Sequence, residues 1–137
     1  METNEELGNA FYENLGKLFY ALAAADNIVA NNEFECLTKM VKTEWTCHSQ
    51  LKEKFETASP LKILKTFDLC RYKKYDAEIC LNEFKVFREK YPDIFTPAIN
   101  RQIWSTAKIM AHCFPGINKS EVVMMAKIHG ILEEQLS

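Results

Sequence analysis

Residues 18–45 read LFYALAAADNIVANNEFECLTKMVKTEW, and the fold turns on how that stretch divides. One helix ends in it, a tight acidic turn follows, and a second helix begins. Leu18, Phe19 and Leu22 continue an apolar stripe opened by Leu7, Phe11 and Leu15, at the three-to-four spacing of one helix face. That predicts helix one over 5–25, with Ala21, Ala23, Ala24 and Ala25 allowing a neighbouring helix to come close. Asp26-Asn27 interrupts the pattern, because both residues favour turns and Asn tolerates a left-handed backbone. Ile28 and Val29 drop back toward the core. Asn31 is a good N-cap for helix two, and Glu33 and Glu35 fall in its first turn, where the helix dipole favours acids. Phe34, Leu37, Val41 and Trp45 form its inward stripe.

Working outward, residues 46–49 end helix two and 51–57 form a short third helix. Ser59-Pro60 is a cap followed by a proline suited to a first helical position, so a fourth helix starts there. Leu61, Leu64, Phe67 and Cys70 are its expected buried face. Asp76 caps a fifth helix with Cys80, Phe84, Phe87 and Tyr91 on one side, and Pro92 stops it. Thr96-Pro97 repeats the cap-proline start for a sixth, with Ile99, Ile103, Ala107, Met110 and Ala111 inward. After the Pro115-Gly116 turn, Asn118 and Glu121 form an N-x-x-E capping box for a seventh, with Val122, Met125, Ile128 and Leu132 inward. No segment alternates as a strand would. The expectation is an all-α, single-domain bundle of about seven helices over residues 1–137, with Phe19, Leu22, Leu37, Ile103, Ala107 and Ile128 buried together.

Composition narrows the function classes. A chain of 137 residues with 47% hydrophobic and 26% charged residues has the material for one packed core and does not read as disordered. The charge-free run from Leu18 to Ala25 falls well short of the roughly 20 residues of a membrane span. The acidic opening METNEELGN does not read as a signal peptide, so a cytoplasmic protein is expected. Five scattered cysteines without a CxxC point to reduced core thiols rather than a disulfide framework. Residues 1–35 carry seven acids and one base, a net of −6, which leaves +4 for the rest of a chain whose total is −2. The basic run from Arg71 to Tyr75 reads as a solvated helix end, since a pI near 5.9 lacks the bias of a nucleic-acid binder.

The quoted stretch has a degraded copy, AKIMAHCFPGINKSEVVMMAKIHGIL, over 107–132. Aligning Glu33 with Glu121 puts Ala23 on Ala111, Val29 on Ile117, Leu37 on Met125 and Met40 on Ile128. Each copy reads as two helices joined by a turn whose aliphatic residue plugs the hairpin. Here the chain resembles the tellurite-resistance TerB-like family, which carries an A-x-A-D-G-x-(I/V)-x-x-x-E pattern. The first copy matches from Ala23 through Asp26 and Val29 to Glu33, with Asn27 in place of Gly. The second runs from Ala111 to Glu121, with Phe114 where a second Asp would stand. The resemblance implies an all-helical pseudo-repeat, stress-related protein association and metal binding, and no enzymatic activity.

Asp26 and Glu33 are the candidate metal ligands, because a tight turn could bring both carboxylates to one divalent cation. The bland alternative gives Glu33 to its own helix start and Asp26 to the turn. An EF-hand is excluded: Leu22 and Ala24, or Tyr72 and Lys74, stand where its first oxygen ligands belong. Cys47-His48 and His112-Cys113 match no common zinc spacing, and no nucleotide or nucleophile-elbow motif is present. The sequence therefore favours a non-enzymatic interaction module with a protein partner, no nucleic acid and no transmembrane segment, and leaves homo-oligomerisation open. A small thiol-dependent hydrolase or redox protein is the alternative.

Overall fold

The computed structural model describes residues 3–26, 29, 31–113 and 119–133. Those residues form seven α-helices and no strand: α1 (Asn4–Ala23), α2 (Asn31–Met40), α3 (Ser49–Lys54), α4 (Lys62–Lys73), α5 (Ala77–Lys90), α6 (Pro97–His112) and α7 (Lys119–Glu133). A π-helical turn, Val41–Trp45, continues α2, and a 3₁₀ turn, Pro92–Ile94, precedes α6.

Helix α1 is the axis of the bundle. Thr3 caps it by accepting from the Glu6 amide, and α4, α5, α6 and α7 all pack on it. The sequence pattern suggests one apolar stripe, but Tyr12, Tyr20, Ala21 and Ala23 are buried along with Phe11, Leu15, Leu18, Phe19 and Leu22. A helix packed on several sides keeps only a narrow solvent face, so apolar residues occupy most of its circumference. Gly8 and Gly16 are also buried and let neighbours close in; a Cβ on Gly16 would lie 2.7 Å from the Ile63 carbonyl oxygen.

The predicted caps of α5 and α6 are present. Asp76 accepts from the Ile79 amide at 3.0 Å and Thr96 from the Ile99 amide at 3.2 Å. Ser59-Pro60 opens a turn of i+3 hydrogen bonds that leads into α4. The predicted capping residue Asn118 lies outside the described residues. Phe19, Leu22, Leu37, Ile103, Ala107 and Ile128 are all fully buried in one cluster, as expected. Two helix faces differ from expectation. Leu61, in the turn that opens α4, is exposed, and Ile63, Phe67 and Cys70 face inward. On α7, Val122 is exposed, and Met124 takes the buried place.

The cysteine expectation needs a correction. Cys36 on α2 and Cys113, just after α6, form a disulfide with a Cα–Cα separation of 6.6 Å. Cys70 and Cys80 are buried free thiols, as expected, and Cys47 is an exposed one. Trp45 packs on Phe19 and donates its indole N–H to Thr106 Oγ1 at 3.0 Å, which fastens the end of the α2 segment to α6. Arg88 on α5 donates to the Leu132 carbonyl at 3.1 Å and holds the end of α7.

Candidate functional site

Two regions gather chemically capable side chains. The first is an acidic corner where the turn after α1 acts on the start of α7, with the start of α2 a few residues further along the chain. Asp26 occupies the turn after α1 and is half-buried. Glu33 lies in the first turn of α2 and Glu121 in the first turn of α7, and each is only 1% exposed. Surface acids at a helix start are ordinary, but carboxylates withdrawn this far from water are not. Burial raises the Glu121 carboxyl above its usual range, and the negative charge of Asp26 raises it further. The structure thus couples Asp26 to the glutamate of the second copy, a pairing that the reading of Asp26 with Glu33 did not foresee. The 88-residue offset that superposes Glu33 on Glu121 was the available signal.

Among the described residues, no group of three or more His, Cys, Asp and Glu is arranged to hold a metal ion. A cation at this corner would therefore take two carboxylates and complete its shell with backbone oxygens and water. Carboxylate oxygens suit a hard ion, calcium or magnesium, better than zinc. Cys36 lies one turn beyond Glu33, but its sulfur is committed to the disulfide with Cys113.

The second region is a groove of about 710 Å³ bordered by α1, α4 and α5. Cys70, from α4, and Cys80, from α5, line it and are 1% and 2% exposed. The helices are joined by a short turn in which Lys74 takes a left-handed backbone, with φ 53°. The Tyr20 hydroxyl donates to the Tyr75 carbonyl at 2.8 Å and ties that turn to α1. The influence of Cys80 lowers the Cys70 thiol below its usual range, against the opposing effect of burial and with help from Lys17. Cys70 and burial together raise Cys80. Lys17 itself is paired with Glu83 at 2.7 Å across the rim. Sequence reading placed both cysteines in the core but could not register that they line one groove.

The remaining sequence candidates lie outside these two regions. Arg71 and Lys73 sit in the last turn of α4, and Arg71 stacks 4.8 Å from the Phe34 ring centroid. Cys47 and His48 lie in the connection between the α2 segment and α3, and the His112 ring nitrogen contacts its own helix at the Lys108 carbonyl. No described helix is long and apolar enough to cross a membrane. No family model, curated protein or solved structure matches the chain.

Proposed function

We propose that the protein is a non-enzymatic helical interaction module that acts through a protein partner and takes a divalent cation at its acidic corner, with Asp26 and Glu33 as ligands. The observation that carries the cation reading is the near-complete burial of Glu33 and Glu121 at equivalent positions of the repeat, with Asp26 acting electrostatically on Glu121. Carboxylate oxygens are the ligands that a hard divalent cation takes. The resemblance to TerB-like proteins favours the same reading and extends it to stress response, tellurite resistance included.

Calorimetry or a thermal melt tests it. A ligand that binds only the folded chain stabilises it by mass action, about 2.7 kcal/mol at 100 times its dissociation constant. Calcium or magnesium should raise the melting temperature of chelator-treated protein. The double change Asp26→Asn with Glu33→Gln keeps side-chain shape, removes two charges and should abolish the ion-dependent part. A wild-type midpoint that ignores calcium, magnesium and zinc would remove the cation from the account.

A further inference from the structure

The groove bordered by α1, α4 and α5 keeps an apolar rim in water. Leu69 on α4, Tyr75 in the α4–α5 turn and Ile79 on α5 all line it, and they are 49%, 43% and 60% exposed. Apolar side chains scattered singly over a surface are ordinary, but three that border one concavity form a patch. The rim is held in shape, because the Tyr20 hydroxyl donates to the Tyr75 carbonyl at 2.8 Å. The charges around it are unevenly matched. Lys17 is paired with Glu83 and Lys62 with Glu13. Asp76 sits at the positive end of α5 and accepts from the Ile79 amide. Lys65, one turn before Leu69 on the same face of α4, has no counter-ion among the described residues. Lys73 and Lys74, where α4 ends, have none there either.

We propose that this groove is the docking site for an amphipathic helix of a partner protein, one that carries acidic residues beside its aliphatic stripe. The proposal rests on the reading of the chain as an interaction module and names where its partner sits. A helix laid in a groove inserts side chains spaced at i, i+3, i+4 and i+7 and covers the apolar walls with them. Leu69 and Ile79 offer such walls from two different helices, and Tyr75 adds an aromatic of the kind enriched at protein interfaces. The unpaired ammonium of Lys65, with Lys73 and Lys74 beyond it, complements acids on the incoming helix and disfavours a basic one. A second copy of the chain fits less well, because Ile109 on α6 and Val123 on α7, though exposed, have no exposed acid within one turn. A planar anionic membrane would meet the rim and leave the floor at Thr66 unfilled, whereas a convex helix reaches into a concavity.

Titrating the full chain into two dye-labelled synthetic helical peptides, read by fluorescence anisotropy, tests this. One peptide carries leucine at i, i+3, i+4 and i+7 flanked by glutamate; the other has lysine in place of each glutamate. The glutamate peptide should bind saturably, and the lysine peptide about tenfold more weakly or worse. Leu69→Asp and Ile79→Asp, both at exposed positions, should each weaken the glutamate peptide by about tenfold or more. Lys65→Glu should weaken the glutamate peptide and strengthen the lysine peptide. Val122→Asp, at an exposed site on α7, should change neither. Absence of saturable binding, equal affinity for the two peptides, or an equal loss on Val122→Asp would overturn the proposal. So would phosphatidylserine vesicles that bind the chain when the glutamate peptide does not, or a dimer that Ile79→Asp dissociates. Capture from a cell lysate separates this failure from failure of the module reading. A protein retained equally by wild type and by Ile79→Asp would move the site elsewhere and keep the module. No retained protein, with both peptides unbound, would remove both.

Discussion

Gly16 has no room for a methyl group. An added Cβ would meet the Ile63 carbonyl oxygen and Thr66 Cβ, each at 2.7 Å. A backbone carbonyl inside α4 cannot swing aside as a flexible side chain can, so Gly16→Ala should cost about 1–3 kcal/mol. Gly130 on α7 meets nothing within 4 Å, and Gly130→Ala should add roughly 0.5–1 kcal/mol through helix propensity alone. Urea midpoints that move in opposite directions would confirm both; a neutral Gly16→Ala would mean that α1 and α4 are not in close contact there. Glu121 makes a pH prediction. Its carboxyl is raised in the folded chain by burial and then by Asp26. Protonated Glu121 is therefore the better tolerated form, and its favourable contribution, present below the unfolded carboxyl range, is lost as pH rises through the folded value. Without added cation, Glu121→Gln should flatten the fall in stability from acid toward neutral pH. An unchanged profile would mean that the burial is fully compensated by other groups.

Helix faces show what the sequence could and could not reveal at the scale of elements. The α6 face was legible because a cap-proline start fixes its phase and Ile99, Ile103, Ala107 and Met110 recur at helical spacing among mostly polar residues. The α4 face was misread because Leu61 belongs to the opening turn and α4 begins at Lys62. In α7 the run Val122-Val123-Met124-Met125 is apolar throughout, so periodicity could not choose a face, and the buried position at Glu121 ran against the pattern. The disulfide was hidden for a different reason. An odd cysteine count says nothing about one pair when three thiols stay free, and 77 residues separate Cys36 from Cys113. With that bond present, cysteine usage no longer argues for a reducing compartment. Closing so long a loop should contribute about 2–4 kcal/mol by restricting the unfolded chain. Reductant should lower the wild-type melting temperature, and the double change Cys36→Ser with Cys113→Ser should melt near the reduced protein and ignore reductant. Equal midpoints with and without reductant would show that the bond contributes nothing to stability.

Across the whole molecule, the sequence repeat and the observed packing make opposite demands on folding. A repeat suggests two helical hairpins, α1–α2 and α6–α7, each with its own stability. The core does not divide that way. Phe19 and Leu22 on α1, Leu37 on α2, Ile103 on α6 and Ile128 on α7 belong to one buried cluster, and α1 also packs on α4 and α5. No hairpin can bury its apolar surface alone, so both halves should unfold in one transition, as small single-core domains usually do. The chain supplies a probe in each half. Trp45 ends the α2 segment and is buried against Phe19, and Trp104 lies on α6 beside His129. Trp45→Phe leaves Trp104 as the fluorescence reporter, and Trp104→Phe leaves Trp45. Each variant's fluorescence transition in urea should coincide with its own loss of helical circular dichroism. Phe19→Ala, made in each of these backgrounds, should cost about 3–5 kcal/mol and move both reporters by the same amount, because the cavity opens in the shared cluster. If Trp45 responded to Phe19→Ala while Trp104 kept its original midpoint, the two copies would be separate folding units, and the central role given to α1 would be wrong.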